Sequence, residues 1–270
     1  MLEIIKQALG EGWEFSSAGG ITGNAYIAKR ADERLFLKRN TSPFLAVLSA
    51  EGIVPQLIWT KRLKNGDVIT AQKWLDGREL YPSEMKDERV AKKLRQIHES
   101  SELLYMLMRL GIQPMSPADK YENLYESLHK RNLPMDYPLI NESLVTLKKL
   151  LPDVEGHEQV VCHADINHNN LMYSADDSLY IVDWDHATIA DPAKDFGTIL
   201  YEYIPETNWT DWLQHYGISK DESLIKRVYW YLLEKFLTDI MWYVDHQQSN
   251  ATNEYLMNIE QLNTRFLSQV

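Results

Sequence analysis

The stretch VVCHADINHNNLMYSADDSLYIVDWDHATIADPAKD, residues Val160–Asp195, decides how this chain is read. It carries His163-Ala164-Asp165, then Asn170 five positions beyond that aspartate, then Asp183-Trp184-Asp185 starting eighteen positions beyond it. An apolar turn and the strand-like run LYIV lie between the two polar groups. Moving a phosphoryl group from ATP–Mg²⁺ to a hydroxyl needs one carboxylate to orient and deprotonate that hydroxyl. It also needs an amide oxygen and a second carboxylate to hold the metal ions that bridge the phosphates. Asp165, Asn170 and Asp183 offer those groups in that order.

Composition narrows the classes. A length of 270 residues suffices for two lobes and a well-buried core, and a hydrophobic fraction of 44% argues against disorder. The formal net charge of −11 opposes a surface built to neutralise nucleic-acid phosphates, so no nucleic-acid partner is expected. One cysteine excludes an internal disulfide framework and fits a reducing compartment. The opening MLEIIKQALGEGW has acidic residues and no long apolar centre, unlike a signal peptide. No stretch approaches the roughly 18 apolar residues of a membrane helix. The expectation is a cytoplasmic protein without membrane insertion.

The pattern along the chain is two-part. From Trp13 to Leu75 short strand-like runs alternate with turns: GGITGNAYIA, ERLFLKRN, LIWTKRL and NGDVITAQKWL. Asn65-Gly66 is a hairpin signal, since both residues tolerate the positive φ of a type I′ turn. LAVLSAEGIV has the apolar spacing of a short helix ended by Gly52. Beyond Asp76-Gly77 long helical patterns take over, in RVAKKLRQIHESSELLYMLMRL and in LIKRVYWYLLEKFLTDIMWYVDH, the latter apolar on most sides. The expected organisation is an α+β chain, with a β-rich lobe over residues 1–75 and a larger helical lobe over 76–270.

The first lobe holds further chemical parts. Gly19, Gly20 and Gly23 sit between strand-like runs, where a hairpin could close over phosphates with its N–H groups or could simply turn. Lys38, at the end of LFLK, could point into a cleft and pair with the α and β phosphates; the alternative is a solvated strand lysine. Glu51, in the short helix, could orient that lysine, or be a surface glutamate.

In this order (glycine turn, strand lysine, helix glutamate, hinge, His-x-Asp-x₄-Asn, Asp-Trp-Asp) the chain resembles the aminoglycoside phosphotransferase and choline kinase family, a branch of the protein-kinase-like fold. HADINHNN and VDWD stand where that family has HGDLHPGN-like and IDWE-like motifs. More narrowly, KRNTSPFLAVLSAEGIVPQLIW and AQKWLDGREL look like the CcrZ-type (YtmP-like) kinase-like cell-cycle regulators of Gram-positive bacteria, which are linked to the timing of chromosome replication.

The resemblance implies a bilobal kinase-like fold using ATP and Mg²⁺ on a small-molecule hydroxyl acceptor. It makes Asp165 the catalytic base and His163 a brace of its loop. Asn170 and Asp183 become Mg²⁺ ligands, and Lys38 a phosphate-binding lysine steadied by Glu51. Asp195 would hold the catalytic loop's backbone from the helix below. Backbone groups of Gln72, Lys73, Trp74 and Leu75 would receive adenine. The chain departs from the family pattern with Ala164 where glycine is usual and with Asn167-His168-Asn169 where His-Pro-Gly is frequent. The subfamily leans toward a ribose- or deoxyribose-like sugar or nucleoside, for which Asn167, Asn169 and Asp185 supply polar groups near Asp165. It also makes cell-division and replication-initiation proteins conceivable partners, and a regulatory scaffold with little catalysis, or a choline or aminoglycoside kinase, the alternatives.

Other features have plainer readings. His163 and His168 with Asp165 could be drawn as a transition-metal site, but that would consume the carboxylate the chemistry needs. Cys162, in the apolar run VVC, reads as a small buried hydrophobe. The aromatics of the last third (Trp209, Trp212, Tyr216, Trp230, Tyr231, Trp242, Tyr243) could form a cation–π box, yet aromatics at helical spacing usually pack a core.

Overall fold

The computed structural model describes residues 9–18 and 25–266. They fall into two compact units that interleave in sequence. The first runs through Tyr81 and adds Ser101–Leu110 and His168–His186; the second comprises Pro82–Ser100, Gly111–Asn167 and everything from Ala187. The β-rich unit therefore reaches past Leu75 and recruits a helix and a hairpin from the later sequence.

The first unit is built on an antiparallel sheet of β1 (Glu14–Ser17), β2 (Ala25–Arg30), β3 (Glu33–Arg39), β4 (Leu57–Arg62) and β5 (Val68–Lys73), in the order β1-β2-β3-β5-β4. Side chains alternate along a strand. Leu35 and Leu37 of β3 therefore enter the core with Trp13, Ala28, Ile69 and Ala71, while Phe36 and Lys38 take the opposite face. The β4–β5 connection turns at Gly66, whose N–H donates to Leu63 O at 3.0 Å. Gly66 has φ +91 and Asn65 is not left-handed, so this is not the type I′ turn expected; the Asn65 side chain instead engages Asp67.

Helix α1 (Phe44–Ala50) follows β3 and ends before Gly52, which has φ +65. A second sheet joins β6 (Gly77–Glu79), β8 (Leu171–Ser174) and β9 (Leu179–Ile181). Gly77 faces Ser174, and a Cβ at residue 77 would collide with the Tyr173 carbonyl, so only glycine permits this approach. The β8–β9 hairpin is tied to the α1 region by Ile181 N–H to Ile53 O at 2.9 Å and by Trp184 packed edge-on against Phe44.

The helical pattern over residues 89–110 is broken in two. Helix α2 (Glu88–His98) belongs to the second unit and α3 (Ser101–Arg109) to the first. The Ser100-Ser101 step interrupts the ladder, in keeping with serine's preference for helix ends over interiors. The second unit adds α4 (Pro117–Lys130), α5 (Pro138–Val154), α6 (Ala193–Tyr203), α7 (Trp209–Tyr216), α8 (Glu222–Asp245) and α9 (Ser249–Phe266) around the strand pair β7 (Val160–Cys162) and β10 (Thr188–Ala190). Caps set the helix starts: the Asp87, Ser116 and Asp221 side chains accept from Arg89, Asp119 and Leu224 N–H. Helix α8 buries residues on most of its sides, including Val228, Tyr229, Trp230, Tyr231, Leu233 and Leu237. Trp209, Trp212, Tyr216, Trp230 and Tyr231 are buried, and indole N–H groups of Trp209 and Trp230 donate to backbone carbonyls. These aromatics are core, whereas Trp242 is half exposed.

Gly77→Ala is expected to cost about 1–3 kcal/mol, the usual range for overpacking. A lower midpoint of chemical denaturation with an unchanged slope would register it.

Candidate active site

In the first unit, Lys38 sits on β3 between β2 and β5, opposite Ala25 and Thr70. Flanked by strands on both sides, its backbone is fixed, and its side chain leaves the face opposite the core. Its Nζ lies 3.0 Å from Asp185 Oδ2 and 3.4 Å from Asp183 Oδ1. Both carboxylates follow β9. The hairpin register pairs Leu171 with Ile181, and Val182 N–H donates to Asn170 O at 2.8 Å, so Asn170 and Asp183 emerge from the same hairpin end. Asp183 is left-handed, φ +62, and Trp184–His186 form a 3₁₀ turn anchored by Trp184 Nε1 on Ile181 O at 2.8 Å. Two aspartates two residues apart would face the same way on a strand; here a left-handed residue followed by a tight turn brings them onto one lysine instead.

Glu51 is the C-cap residue of α1, its N–H donating to Val47 O. The cations' carboxylates that close on Lys38 come from the hairpin end, a pairing with Asp185 that sequence reading had not made. Asn169 is exposed in the 3₁₀ turn His168–Asn170. Gly19, Gly20 and Gly23 lie outside the described residues.

Over the hinge segment Gln72–Leu75, expected to receive adenine, fewer N–H groups are open than an unpaired edge would offer. Gln72 sits in ladders on both sides, opposite Phe36 and Leu57, and its side chain donates to Pro55 O at 2.8 Å. Lys73 N–H donates to Gln56 O at 2.8 Å and Trp74 N–H to Arg34 O at 3.3 Å. The strand's backbone is engaged further along than the sequence suggests, because the residues before β4 and on β3 supply acceptors. Among the described residues, Leu75 N–H meets no acceptor, so the open edge begins there.

In the second unit the segment after β7 carries His163, Ala164, Asp165 and Asn167. Asp195, from the first turn of α6 and fully buried, accepts from His163 N–H at 2.7 Å and Ala164 N–H at 2.8 Å. Ala164 is left-handed, φ +64, which gives the physical reason glycine suits this position. Buried His163 accepts from Asp165 N–H through Nδ1 at 3.3 Å, and Asn167 Nδ2 donates to Asp165 O at 3.1 Å. Each end of the Asp165 backbone is thus tied down, and its part-exposed carboxylate accepts from Asn167 Nδ2 at 3.4 Å.

Sequence reading missed His98. Its Nε2 is 3.2 Å from Asp195 Oδ2 and its Nδ1 is 2.6 Å from Tyr216 OH, all buried. Burial pushes the Asp195 carboxyl up, but the His98 hydrogen bond and charge, His163 and the Ala164 N–H outweigh it and hold the carboxyl below the ordinary aspartate value. Nothing in the local pattern LRQIHES shows that its histidine meets a residue 97 positions away. His98, Cys162 and Asp195 place ligand-type atoms within 4.8 Å of one another. Both imidazole nitrogens are engaged, and burial together with Asp195 drives the Cys162 thiol well up, so this is a hydrogen-bonded brace rather than a thiolate metal centre. Glu202, at the end of α6, was missed as well. Desolvation raises its pKa and the Asp239 and Asp165 charges add to that, against Lys235 and Tyr203.

The chain is a member of the phosphotransferase enzyme family, whose model matches residues 7–229. Its fold is that of aminoglycoside and choline kinases. The choline kinase LicA from Streptococcus pneumoniae superposes with a TM-score of 0.66 at 18% identity, covering 100% of this chain and 99% of that one. The spectinomycin phosphotransferase APH(9)-Ia, solved with ADP and spectinomycin, gives 0.67 at 20% identity, covering 96% and 93%. The GDP and kanamycin complex of APH(2″)-IIIa gives 0.74 at 15% identity, covering 98% of each chain. No described helix is long and apolar enough to cross a membrane.

Two outcomes follow from the Asp195 brace. Asp195→Asn should cost about 3–5 kcal/mol at neutral pH, the range for breaking a buried charge partnership. Because folded Asp195 titrates below its unfolded value, its contribution is present above the ordinary aspartate pKa of about 3.9 and is lost as pH falls through the lower folded value. Denaturation series from pH 7 to 2 should therefore show wild type and Asp195→Asn converging at the acid end. Ala164→Gly should raise stability by ~0.5–1 kcal/mol, relief of left-handed strain exceeding the added chain entropy, and a thermal melt reads the sign directly.

Proposed function

We propose that this phosphotransferase moves the γ-phosphoryl group of ATP, with Mg²⁺, to a hydroxyl of a small molecule, and that the acceptor is a ribose- or deoxyribose-like sugar or a nucleoside. The observation that carries the reading is Lys38 held against Asp183 and Asp185 at the hairpin end that also bears Asn170. Carboxylate and amide oxygens are the hard donors that Mg²⁺ takes, and a strand ammonium suits the α and β phosphates. Bound there by Asn170 and Asp183, Mg²⁺ would neutralise charge on the phosphates. The Lys38 pairs are half exposed and so weak, of order 0–1 kcal/mol, which lets phosphate oxygens replace them at little cost. Leu75 N–H offers adenine a donor. Asp165 accepts the acceptor's hydroxyl proton; His163 and Asp195 are positioning residues acting through the backbone around it.

The acceptor class rests on the resemblance to the CcrZ-type cell-cycle regulators, which leans toward a sugar or nucleoside hydroxyl, and on polar groups such as Asn167 beside Asp165. From the same resemblance we take a role in timing replication initiation, with division and replication proteins as partners and the cytoplasm as the setting. A cationic acceptor such as choline or an aminoglycoside is the second reading. It is favoured by Glu202, whose carboxyl feels both Asp165 and Asp239, and by fold neighbours that are choline, spectinomycin and kanamycin kinases by name.

Asp165→Ala is expected to lower turnover about 10²–10⁴-fold, the usual contribution of a general base, with ATP affinity little changed. ATP consumption measured across pentoses, nucleosides, choline and aminoglycosides, with that variant as blank, decides the acceptor. Turnover confined to amines would replace the sugar reading with the cationic one, and no turnover above the blank for any acceptor would sink both. In cells, normal replication timing restored by Asp165→Asn would assign the timing role to binding rather than catalysis.

A further inference from the structure

The ion pairs at the tip of Lys38 are weak, so what aims this lysine has to be sought at its backbone. Asp183 and Asp185 keep 54% and 62% of their side-chain surface exposed, and a phosphate arriving at Nζ takes their place. Lys38 is also the last residue but one of β3, and Asn40 just beyond the strand is left-handed, φ +54. Chain ends of regular structure open more easily than their centres. A lysine in that position needs restraint from outside its own strand.

Two sets of side-chain bonds close on this strand end. The first ties β3 to the β4–β5 turn: Arg39 Nη2 lies 2.7 Å from Asp67 Oδ2, Asn40 Nδ2 donates to Asp67 Oδ1 at 3.0 Å, and Asn40 Oδ1 accepts from Val68 N–H at 3.0 Å. The second acts on Lys38 itself. Thr70, on the inner strand β5, stands opposite Lys38 in the register and is buried. Its Oγ1 lies 3.1 Å from Lys38 O and 3.0 Å from Thr41 Oγ1. Counting protons orders the three groups. A carbonyl only accepts and a hydroxyl has one proton, so Thr70 donates to Lys38 O and Thr41 donates to Thr70. The bonds run in one direction, from Thr41 through Thr70 to the Lys38 carbonyl, and each polarises the next. Thr60, opposite Thr70 on β4, is exposed and stands outside this chain of bonds.

We infer that Thr70 is a positioning residue for phosphoryl transfer: its hydroxyl, oriented by Thr41, fixes the Lys38 carbonyl and so the direction in which the lysine leaves the sheet. This rests on the proposed pairing of Lys38 with nucleotide phosphates. The ammonium sits at the end of a four-carbon stem, so a small rotation of the Lys38 peptide is magnified at Nζ. Groups that act on a reacting centre have to be held within about 0.5 Å and 10–20°. The Lys38 side chain is 24% exposed, so its stem is largely enclosed and carries the backbone's direction to the tip. The two carboxylates cannot supply that precision, because they are given up as the nucleotide enters, whereas the bond to the carbonyl stays. The hydroxyl at residue 70 is the group that matters; valine has the same shape and offers neither donor nor acceptor.

Nucleotide affinity of the full-length protein tests this whatever the acceptor is. Mg·ATP and adenosine are titrated separately, because Lys38 acts on phosphates and adenosine has none. Thr70→Val should weaken Mg·ATP binding about 3- to 10-fold, the factor one neutral hydrogen bond supplies, with adenosine binding unchanged. Thr70→Ser keeps the hydroxyl and should restore the affinity for ATP, while Thr60→Val should alter neither ligand. In a Lys38→Met background Thr70→Val should cost nothing further, since the two residues act as one unit. A general structural defect would weaken both ligands together and would persist without the lysine. Either of those results overturns the inference, as does ATP affinity unmoved by Thr70→Val. If Thr70→Val does not fold, Thr41→Val on a part-exposed residue carries the same test: a smaller loss confined to ATP is expected, and wild-type affinity for ATP overturns the inference. Wild type and Lys38→Met binding Mg·ATP equally would remove the role given to Lys38 in the proposed function, and this inference with it. A loss in Lys38→Met with none in Thr70→Val removes this inference alone.

Discussion

The arrangement of the second unit depends on one buried carboxylate. Taking Asp195 out of water costs several kcal/mol, and it is tolerated because every approach to it is a donor: His163 N–H, Ala164 N–H and His98. A hydrogen bond to a charged group contributes about 1.5–3 kcal/mol, against about 1–2 for holding an alanine in the left-handed region. The bond to Ala164 N–H therefore outweighs the strain it requires. That inequality explains how alanine persists where glycine would be easier. It also makes the segment before Asp165 rigid, since shifting it would strip partners from a charge that cannot reach water. His98 extends the brace to Tyr216, so α2, α6 and α7 share in fixing one turn of backbone.

Ion pairs elsewhere divide by exposure into two kinds with different work to do. Asp191 is 2% exposed as a side chain and grips Arg227 through both oxygens. Breaking such a pair strands a charge in a dry place, which marks it as structural. Lys38 meets carboxylates that are 54% and 62% exposed. Water screens them, their net contribution to stability is near zero, and the three charges are free to exchange partners. The site proposed for ATP and Mg²⁺ draws on pairs of the second kind. Stability and readiness are kept on different residues.

How much of this was legible in the sequence follows from how far each interaction reaches along the chain. The motif order, the β-rich then helical character and the residues gathered at the hairpin end were readable, because spacing within His163–Asp185 encodes them locally. Lys38 was readable as a strand lysine, since LFLK alternates. The register at the hinge was not: whether Lys73 and Trp74 N–H groups are open depends on Gln56 and Arg34, which propensity does not place beside them. His98 was hidden for the same reason. The helical pattern over residues 89–110 misled because apolar spacing continues through Ser100-Ser101, where the two helices part. The convergence of Asp183 and Asp185 arises from a left-handed aspartate that no periodicity announces.

The second unit also keeps acid and base apart where it could have paired them. Glu202 is desolvated and pushed upward by Asp239 and Asp165, while Lys120 is desolvated and pushed downward beside Lys194. Each has its nearest counter-charge already committed elsewhere, Lys235 to Asp239 and Glu234 to Lys194. Joining an unmatched acid to an unmatched base would relieve both, and nothing in helix geometry forbids a sequence from doing so. A fold selected for stability alone would have neutralised these groups or replaced them with apolar ones, since buried charge rarely adds to stability. Keeping both groups ionisable in the same unit therefore costs stability that apolar residues at these positions would not.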